Sequence, residues 1–229
     1  MTRNALYATL LAPAVLALGA AQFATAKPAA PSDATLNVAP ATAQQAATRL
    51  VVSAAGNEVR YRVRERLAMM ELPYDAVGAT SAVSGAIALD AQGRLVPAQS
   101  KITVNVTGLK SDQERRDGFV QRNLLQTAQH PEVVFQPTEI RGLTGALPAS
   151  GSRTFQLVGN MTVKGQTRPA TWNVTAQFLP DGRVTGKAVT GFKFGDYGIE
   201  KPSVGVILSL ADEMALEYDF NLVRQANAS

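Results

Sequence analysis

The segment DEMALEYDFNLV, residues 212–223, decides the fold class of this chain. Apolar side chains occupy every second position of it, namely Met214, Leu216, Tyr218, Phe220 and Leu222. A period of two puts these side chains on one face of a β-strand and the polar ones on the other. Such strands are typical of an antiparallel sheet with one buried and one solvated face.

Other segments share this alternation. It is clearest in NEVRYRVRER (57–66), SKITVNVT (100–107) and TWNVTAQF (171–178). Further candidate strands lie at 48–54, 83–90, 131–140, 153–163 and 183–194, which gives eight or nine in all. Turn signals at Gly56-Asn57, Gly93, Gly165 and Asp181-Gly182 predict that successive strands are neighbours. Such a sheet either pairs with a second sheet or closes into a barrel, whose interior is either solid or hollow.

The N-terminus has the pattern of an export signal. Arg3 precedes an uncharged run rich in Ala and Leu that ends in Ala24-Thr25-Ala26. This pattern predicts a signal peptide over 1–26, with a retained membrane anchor as the alternative. Residues 27–46 are rich in Ala and Pro and predict a flexible leader, followed by one domain over 47–225. We therefore expect a periplasmic or secreted protein.

The composition narrows the classes of partner. The chain has no cysteine, which excludes disulfides and thiolate–metal sites. Its formal net charge is +4, with both signs interspersed, whereas a nucleic-acid-binding protein usually has a concentrated basic stripe. We therefore predict no nucleic-acid partner. Transient contact with a membrane surface and formation of a homodimer stay open.

One segment, 111–127, departs from the period of two. Ser111 and Glu114 have the spacing of a helix capping box, and Phe119 and Leu124 fall near one stripe. A short amphipathic helix is therefore predicted, with a break near Gly118. The alternating charges are interpreted as a solvated ion-pair network of Asp112, Glu114, Arg115, Arg116 and Asp117.

Two further features invite a functional interpretation. His130 is the single histidine, but no second histidine, cysteine or Gly-x-Ser-x-Gly motif accompanies it, so we predict neither a catalytic residue nor a metal site. The alternating row Arg60, Arg62, Arg64 and Arg66 could meet anionic lipid phosphates, although a solvated strand face that resists mispairing is favoured. No cofactor motif is present in the sequence.

Several stretches, taken in order, resemble the YceI-like family of exported polyisoprenoid-binding proteins. They are SDQERRDGFVQRNLLQTAQHPEVVFQPTEI (111–140), LVGNMTVKGQTRPATWNVTAQF (157–178), FKFGDYGI (192–199) and LADEMALEYDFNL (210–222). The resemblance implies an all-β fold: an extended, lipocalin-like, antiparallel eight-stranded β-barrel with a short amphipathic helix near its mouth. The Arg-Asp at the family's helix start falls on Arg116 and Asp117.

The chain also departs from the family pattern. Gly56-Asn57 stands where a His-Ser pair is usual, and Leu124-Leu125 stands in place of paired aromatic residues. The stretch after the second strand carries Met69, Met70 and Leu72, and methionine adapts readily to irregular apolar partners.

The resulting hypothesis is an exported protein that holds a long apolar ligand in its barrel without transforming it. The ligand is an isoprenoid quinone, a polyprenyl chain or a fatty-acid derivative, and no other cofactor is expected. The alternatives are a solid-cored interaction or stress-response module, and a lipid-modifying enzyme that uses His130. The predicted ligand-binding residues are Tyr61, Val63, Ile102, Val104, Phe119, Leu124, Leu125, Phe135, Phe155, Trp172, Phe194, Tyr218 and Phe220.

Overall fold

The computed structural model describes residues 47–203 and 205–226. The predicted signal peptide and leader lie outside the described residues. Within these ranges, twelve strands form one sheet. They are β1 (Thr48–Val52), β2 (Glu58–Leu67), β3 (Tyr74–Thr80), β4 (Val83–Leu89), β5 (Lys101–Asn105), β6 (Lys110–Ser111), β7 (Glu132–Arg141), β8 (Gly151–Val163), β9 (Gln166–Phe178), β10 (Arg183–Lys193), β11 (Ile207–Leu210) and β12 (Glu213–Ala226).

The sheet closes into an antiparallel barrel of eight strands. The ring runs β1, β4, β5, β7, β8, β9, β10, β12 and returns to β1, because β12 pairs with both β10 and β1. Closure leaves the ring without an open edge. The predicted eight-stranded barrel is confirmed, and the two-sheet alternative is excluded.

Three of the barrel strands are continued by a second segment. β1 pairs with Leu222–Ala226 of β12, and β2 pairs with Ala215–Asp219 of the same strand, so β1 and β2 lie end to end. The segments β4 and β3, and likewise β5 and β6, extend each other in the same way. Gly56-Asn57 therefore does not make the predicted turn between neighbouring strands. It lies in an interruption of one long strand.

At these interruptions, side-chain hydrogen bonds replace the missing backbone hydrogen bonds between neighbouring strands. Asn57, which is buried, accepts bonds at Oδ1 from the Tyr218 hydroxyl (2.8 Å) and the Asn221 backbone N–H (3.0 Å). Its amide nitrogen donates to the Ser53 carbonyl at 2.9 Å. In the next strand, the Thr80 hydroxyl donates to the Asn105 carbonyl at 3.2 Å. Buried backbone and side-chain groups thereby keep partners where the pairing stops.

One helical segment covers one end of the barrel, which we call the helix end. It consists of α1 (Glu114–Phe119) and a π-helical turn (Val120–Leu124). The predicted helix is present, but the predicted capping box is wrong. Ser111 belongs to β6, and its hydroxyl and backbone N–H both donate to Asp117 Oδ1, at 2.6 and 2.8 Å. The described residues also contain short 3₁₀ turns at Pro97–Gln99 and Phe194–Tyr197.

The outer face of β2 carries the predicted row of arginines. Arg60 contacts Asp219 at 2.6 Å, and Arg62 contacts Glu217 at 3.0 Å on the neighbouring β12. Arg62 and Arg64 also reach Asp75 on β3, at 3.3 and 3.0 Å. Arg60, Arg62 and Arg64 are therefore neutralised by cross-strand carboxylates, which argues against a free phosphate-binding surface along these three residues. Among the described residues, no helix is long and apolar enough to span a bilayer.

Candidate ligand-binding cavity

The barrel encloses a cavity of about 650 Å³. Inward-facing side chains of the strands form its wall, and nearly all of them are apolar. The volume falls within the range of pockets that bind small molecules and cofactors. The interior is therefore hollow, which removes the solid core assumed by the interaction-module alternative.

All of the residues predicted to bind a ligand line this cavity. The strand members occupy inward positions of the alternation that the sequence displays. They are Tyr61, Val63, Ile102, Val104, Phe135, Phe155, Trp172, Tyr218 and Phe220. Phe194 begins the 3₁₀ turn after β10 and is also in the lining. Their contact with a ligand stays a prediction.

The remaining predicted residues form the helical part of the wall. Phe119 ends α1, Leu124 ends the π-helical turn and Leu125 caps that turn, and all three line the cavity. The Leu125 N–H donates to the Val120 carbonyl at 2.8 Å, which is the wide hydrogen bond of a π-turn. The Gln121 side chain ties this turn to the barrel through the Leu109 carbonyl at 3.0 Å.

Aromatic contacts shape the apolar wall. Trp172 on β9 and Phe135 on β7 pack edge to face, with ring centroids 6.1 Å apart. Tyr218 and Phe220 on β12 are inclined to each other with centroids 5.8 Å apart. Trp172 is the single tryptophan of the chain, so its fluorescence reports on the cavity.

A charged cluster interrupts the apolar lining at the helix end. Glu65 of β2 lies opposite Tyr74 of β3, and its Oε1 accepts hydrogen bonds from the Tyr74 hydroxyl and from Arg116 Nη2, the latter at 3.0 Å. Arg116 also donates to the Tyr74 hydroxyl at 2.5 Å and pairs with Asp112. The Glu65 and Arg116 side chains are only 6% and 16% exposed.

This cluster corrects the interpretation of the charges on 112–117 as a solvated network. Arg116 turns into the barrel, and Asp117 is bonded to Ser111. The sequence holds one signal for it, because Glu65 is a charged residue at an inward position of the β2 alternation. Tyr74 begins β3, a strand that the alternation of apolar and polar residues does not predict.

Burial keeps the tyrosines of the lining protonated. It raises the pKa of Tyr61 to about 12, where the nearby carboxylates of Asp117 and Glu65 add to the shift and Arg116 opposes it. Burial and the hydrogen bond to Glu65 raise the pKa of Tyr74 to about 12. Burial also raises the pKa of Tyr218. All three hydroxyls can therefore donate hydrogen bonds at neutral pH.

His130 lies outside the cavity lining. Its ring rests against the β8–β9 turn, where a Cβ on Gly165 would come within 3.1 Å of His130 Cε1. Over the described ranges, no group of three or more His, Cys, Asp or Glu residues has the arrangement of a metal site. The geometry therefore provides no polar pair around His130 inside the barrel.

Large apolar side chains are exposed beside the cavity at the helix end. We call Met69, Met70, Leu72, Val206 and Leu208 the apolar rim, and their exposures range from 44% to 92%. The first three follow β2, and the last two flank or belong to β11, which pairs with β2. The Ala68 N–H donates to the Val206 carbonyl at 2.9 Å, and Val206 also lines the cavity.

The sequence and the fold were compared with known proteins. Residues 50–222 match the model of the YceI-like domain family. A UPF0312 protein of Azotobacter vinelandii is 28% identical over 115 residues, which are 46% of this chain and 55% of that protein. The chain therefore spans about half the length of the curated relative that it matches.

Two solved structures share the fold. One is a polyisoprenoid-binding domain from Saccharophagus degradans implicated in plant cell wall breakdown, with a TM-score of 0.56, 11% identity, and coverage of 80% of this chain and 99% of that one. The other is BcnA of Burkholderia cenocepacia, with a TM-score of 0.53, 19% identity, and coverage of 76% and 99%. At these identities the likeness establishes the fold alone.

Proposed function

The chain belongs to the YceI-like domain family, and we propose that it binds one long apolar ligand inside its barrel and carries or sequesters it without chemical change. The observation that carries this proposal is the apolar cavity of about 650 Å³ inside a closed barrel. A tail transferred from water into such a cavity gains roughly 0.8 kcal/mol for each buried methylene group. Long chains are therefore favoured over short ones.

The ligand class that we propose is an isoprenoid quinone, a polyprenyl chain or a fatty-acid derivative. The apolar wall suits all three tails. The S. degradans neighbour, described as a polyisoprenoid-binding domain, supports the isoprenoid members. A role as a binding protein agrees with the position of His130 outside the lining of the cavity.

The decisive experiment is native mass spectrometry of protein purified from its own source. We expect a mass above that of the polypeptide, and solvent extraction that releases a lipid. Delipidated protein should then bind an added isoprenoid quinone with quenching of Trp172 fluorescence. Protein that carries no lipid and binds none when lipids are added contradicts the proposal.

Export is part of the same proposal and rests on the signal pattern of 1–26. A protein that works between membranes meets a ligand whose tail is insoluble in the surrounding water. We expect N-terminal sequencing of protein from the periplasm or the medium to begin at Lys27. Recovery of the uncleaved chain from the cytoplasm contradicts export.

We also propose that the apolar rim touches a bilayer when the ligand is exchanged. Its side chains lie beside the cavity, and Val206 is shared by the rim and the lining. We expect the protein to float with vesicles of phosphatidylglycerol and phosphatidylethanolamine, and the double variant Met69→Ser, Leu72→Ser to lose most of this binding. Equal flotation of the two proteins contradicts rim contact and leaves ligand binding intact.

A further inference from the structure

The sulfur of the predicted mature chain is confined to four methionines, because the chain has no cysteine and Met1 belongs to the predicted signal peptide. Two of the four, Met69 and Met70, are neighbours in the loop between β2 and β3, where they are 92% and 44% exposed. The other two, Met161 and Met214, line the cavity, and Met161 is only 1% exposed. An oxidant in the surrounding water therefore meets Met69 and Met70 first.

The exposed methionines are part of the apolar rim. They lie beside Leu72 and close to Val206, whose carbonyl accepts a hydrogen bond from the Ala68 N–H at 2.9 Å. Methionine supplies apolar surface here, because its unbranched thioether adapts to irregular partners. Oxidation converts the thioether into a polar sulfoxide. The chemical change thus falls on the surface through which the proposed function has the protein touch a bilayer.

Oxidation of this pair should leave the barrel intact. Backbone hydrogen bonds hold the loop, and one of them runs from the Met70 N–H to the Leu67 carbonyl at 3.1 Å. Met69 has little packing to lose, because nearly all of the residue is exposed. Met161, by contrast, belongs to the buried core, where a polar sulfoxide would be costly. The exposed pair can therefore change the polarity of the rim without unfolding the domain.

The oxidation step balances with hypochlorous acid as the oxidant. The sulfur lone pair attacks the oxygen of hypochlorous acid, an S–O bond forms, the O–Cl bond breaks, and chloride and a proton are released. Sulfur loses two electrons and chlorine gains them. Methionine sulfoxide reductases reverse the change with a thiol as the reductant. Because the chain has no cysteine, the thiol has no disulfide of this protein to reduce.

We propose that Met69 and Met70 are a reversible oxidation site, and that their sulfoxides release the apolar rim from a bilayer. This inference rests on the rim contact that is part of the proposed function. It makes ligand exchange sensitive to oxidants and leaves ligand retention unaffected, because Met161 and Met214 lie on the cavity wall inside the barrel. An oxidised protein therefore keeps its ligand and binds vesicles less.

The test exposes the mature protein, as purified from its own source, to increasing doses of hypochlorous acid. Peptide mapping locates each added oxygen atom, native mass spectrometry reports retained ligand, and flotation with phosphatidylglycerol and phosphatidylethanolamine vesicles reports bilayer contact. We expect Met69 and Met70 to be oxidised before Met161 and Met214, and the vesicle-bound fraction to fall about fivefold or more. Treatment with the sulfoxide reductases for both epimers and dithiothreitol should restore flotation.

Two variants separate the rim from the cavity. The double variant Met69→Leu, Met70→Leu removes both exposed sulfurs and keeps apolar side chains, so its vesicle-bound fraction should not change on oxidation. Met214→Leu leaves the rim sulfurs in place and should lose flotation on oxidation as the wild type does. Each variant is compared with its own unoxidised form, and circular dichroism checks that the barrel is retained.

The outcomes distinguish this inference from the proposed function. Oxidation of Met161 or Met214 at the same dose as Met69 and Met70 overturns the inference alone. Sulfoxides at Met69 and Met70 that leave flotation unchanged do the same, as does a leucine double variant that loses as much flotation as the wild type. Unoxidised protein that does not float overturns the rim contact and the release step with it, while peptide mapping still decides the oxidation site.

Discussion

The hydroxyl of Tyr218 donates a hydrogen bond of 2.8 Å to Oδ1 of Asn57, at the point where the first barrel strand is interrupted. Oδ1 also accepts from the Asn221 backbone, so a single buried amide joins β1, β2 and β12. Removing it leaves the Tyr218 hydroxyl and the Asn221 N–H, which are both partly buried, without these partners. We expect Asn57→Ala to lower the free energy of unfolding by about 2–3 kcal/mol in urea denaturation. Asn123→Ala, at an exposed position, should change it little.

The buried Glu65–Arg116 pair should respond differently to single and double substitution. Arg116→Met leaves the Glu65 carboxylate buried without its cation, and we expect a loss of about 3 kcal/mol. The double variant Glu65→Leu, Arg116→Met removes both charges and should recover part of this loss. Urea denaturation measures both variants, with Arg122→Met as the exposed control. A double variant less stable than the single one contradicts an uncompensated charge as the cause.

Filling the cavity should abolish ligand retention without unfolding the barrel. Leu216 lines the cavity and is only partly buried, so a larger side chain there has room to extend inwards. We expect Leu216→Trp to reduce the lipid-bound fraction in native mass spectra at least severalfold. The outward-facing Thr175→Trp adds similar bulk on the exposed face of β9 and should retain the ligand. Equal retention in both variants means that the ligand binds elsewhere.

The helical wall should control the exchange of ligand. Leu124, the last residue of the π-helical turn, and Leu125, its C-cap, contribute apolar surface to the cavity. Replacing both by Ser weakens their packing against the ligand and the barrel. Stopped-flow Trp172 fluorescence should therefore show release of a bound quinone accelerated about tenfold or more. Arg122→Ser and Asn123→Ser, on the exposed side of the same turn, serve as controls. An unchanged release rate in the Leu124→Ser, Leu125→Ser variant means that this helical wall does not control ligand exchange.

Acid should weaken the ion pairs on the outer face of β2 and β12. Hydrogen bonds from Lys187 and Arg62 hold the pKa of Glu217 below its ordinary value of 4.5. A carboxylate with a lower pKa in the folded than in the unfolded chain stabilises the fold above the ordinary value. This contribution is lost as pH falls through the folded value. We expect the unfolding free energy of Glu217→Gln to vary less than that of the wild type between about pH 5 and 3. Identical pH profiles would exclude Glu217 as a contributor.

The sequence predicts the strands and their inward side chains because both follow from local patterns, whereas the closed eight-stranded barrel is what the resemblance to the YceI-like family implies. Alternation in 212–223 and 171–178 marks the inward positions, and the structure places those side chains around the cavity. The interruption at Asn57 escapes prediction because a Gly-Asn turn signal looks the same within a composite strand as between two strands.

The charged cluster depends on contacts between residues that are far apart in the sequence, and the local pattern points only to Glu65. Glu65 stands out as a charge at an inward position, but Arg116 is 51 residues away. A capping box explains Ser111 and Glu114 equally well until Asp117 is seen to take the Ser111 hydroxyl. Local periodicity therefore identifies which side chains face inwards. It does not identify which charges meet there.

The interruptions at 53–57, 81–82 and 106–109 are the places where three of the eight barrel strands can accommodate a change in chain length. Within an unbroken strand, one inserted residue shifts the register and turns every following inward side chain outwards. Here the strand segments on the two sides of each interruption keep separate registers with their partners. An inserted or deleted residue at one of these three interruptions can therefore be absorbed locally, while the inward side chains on both sides of it stay in the lining.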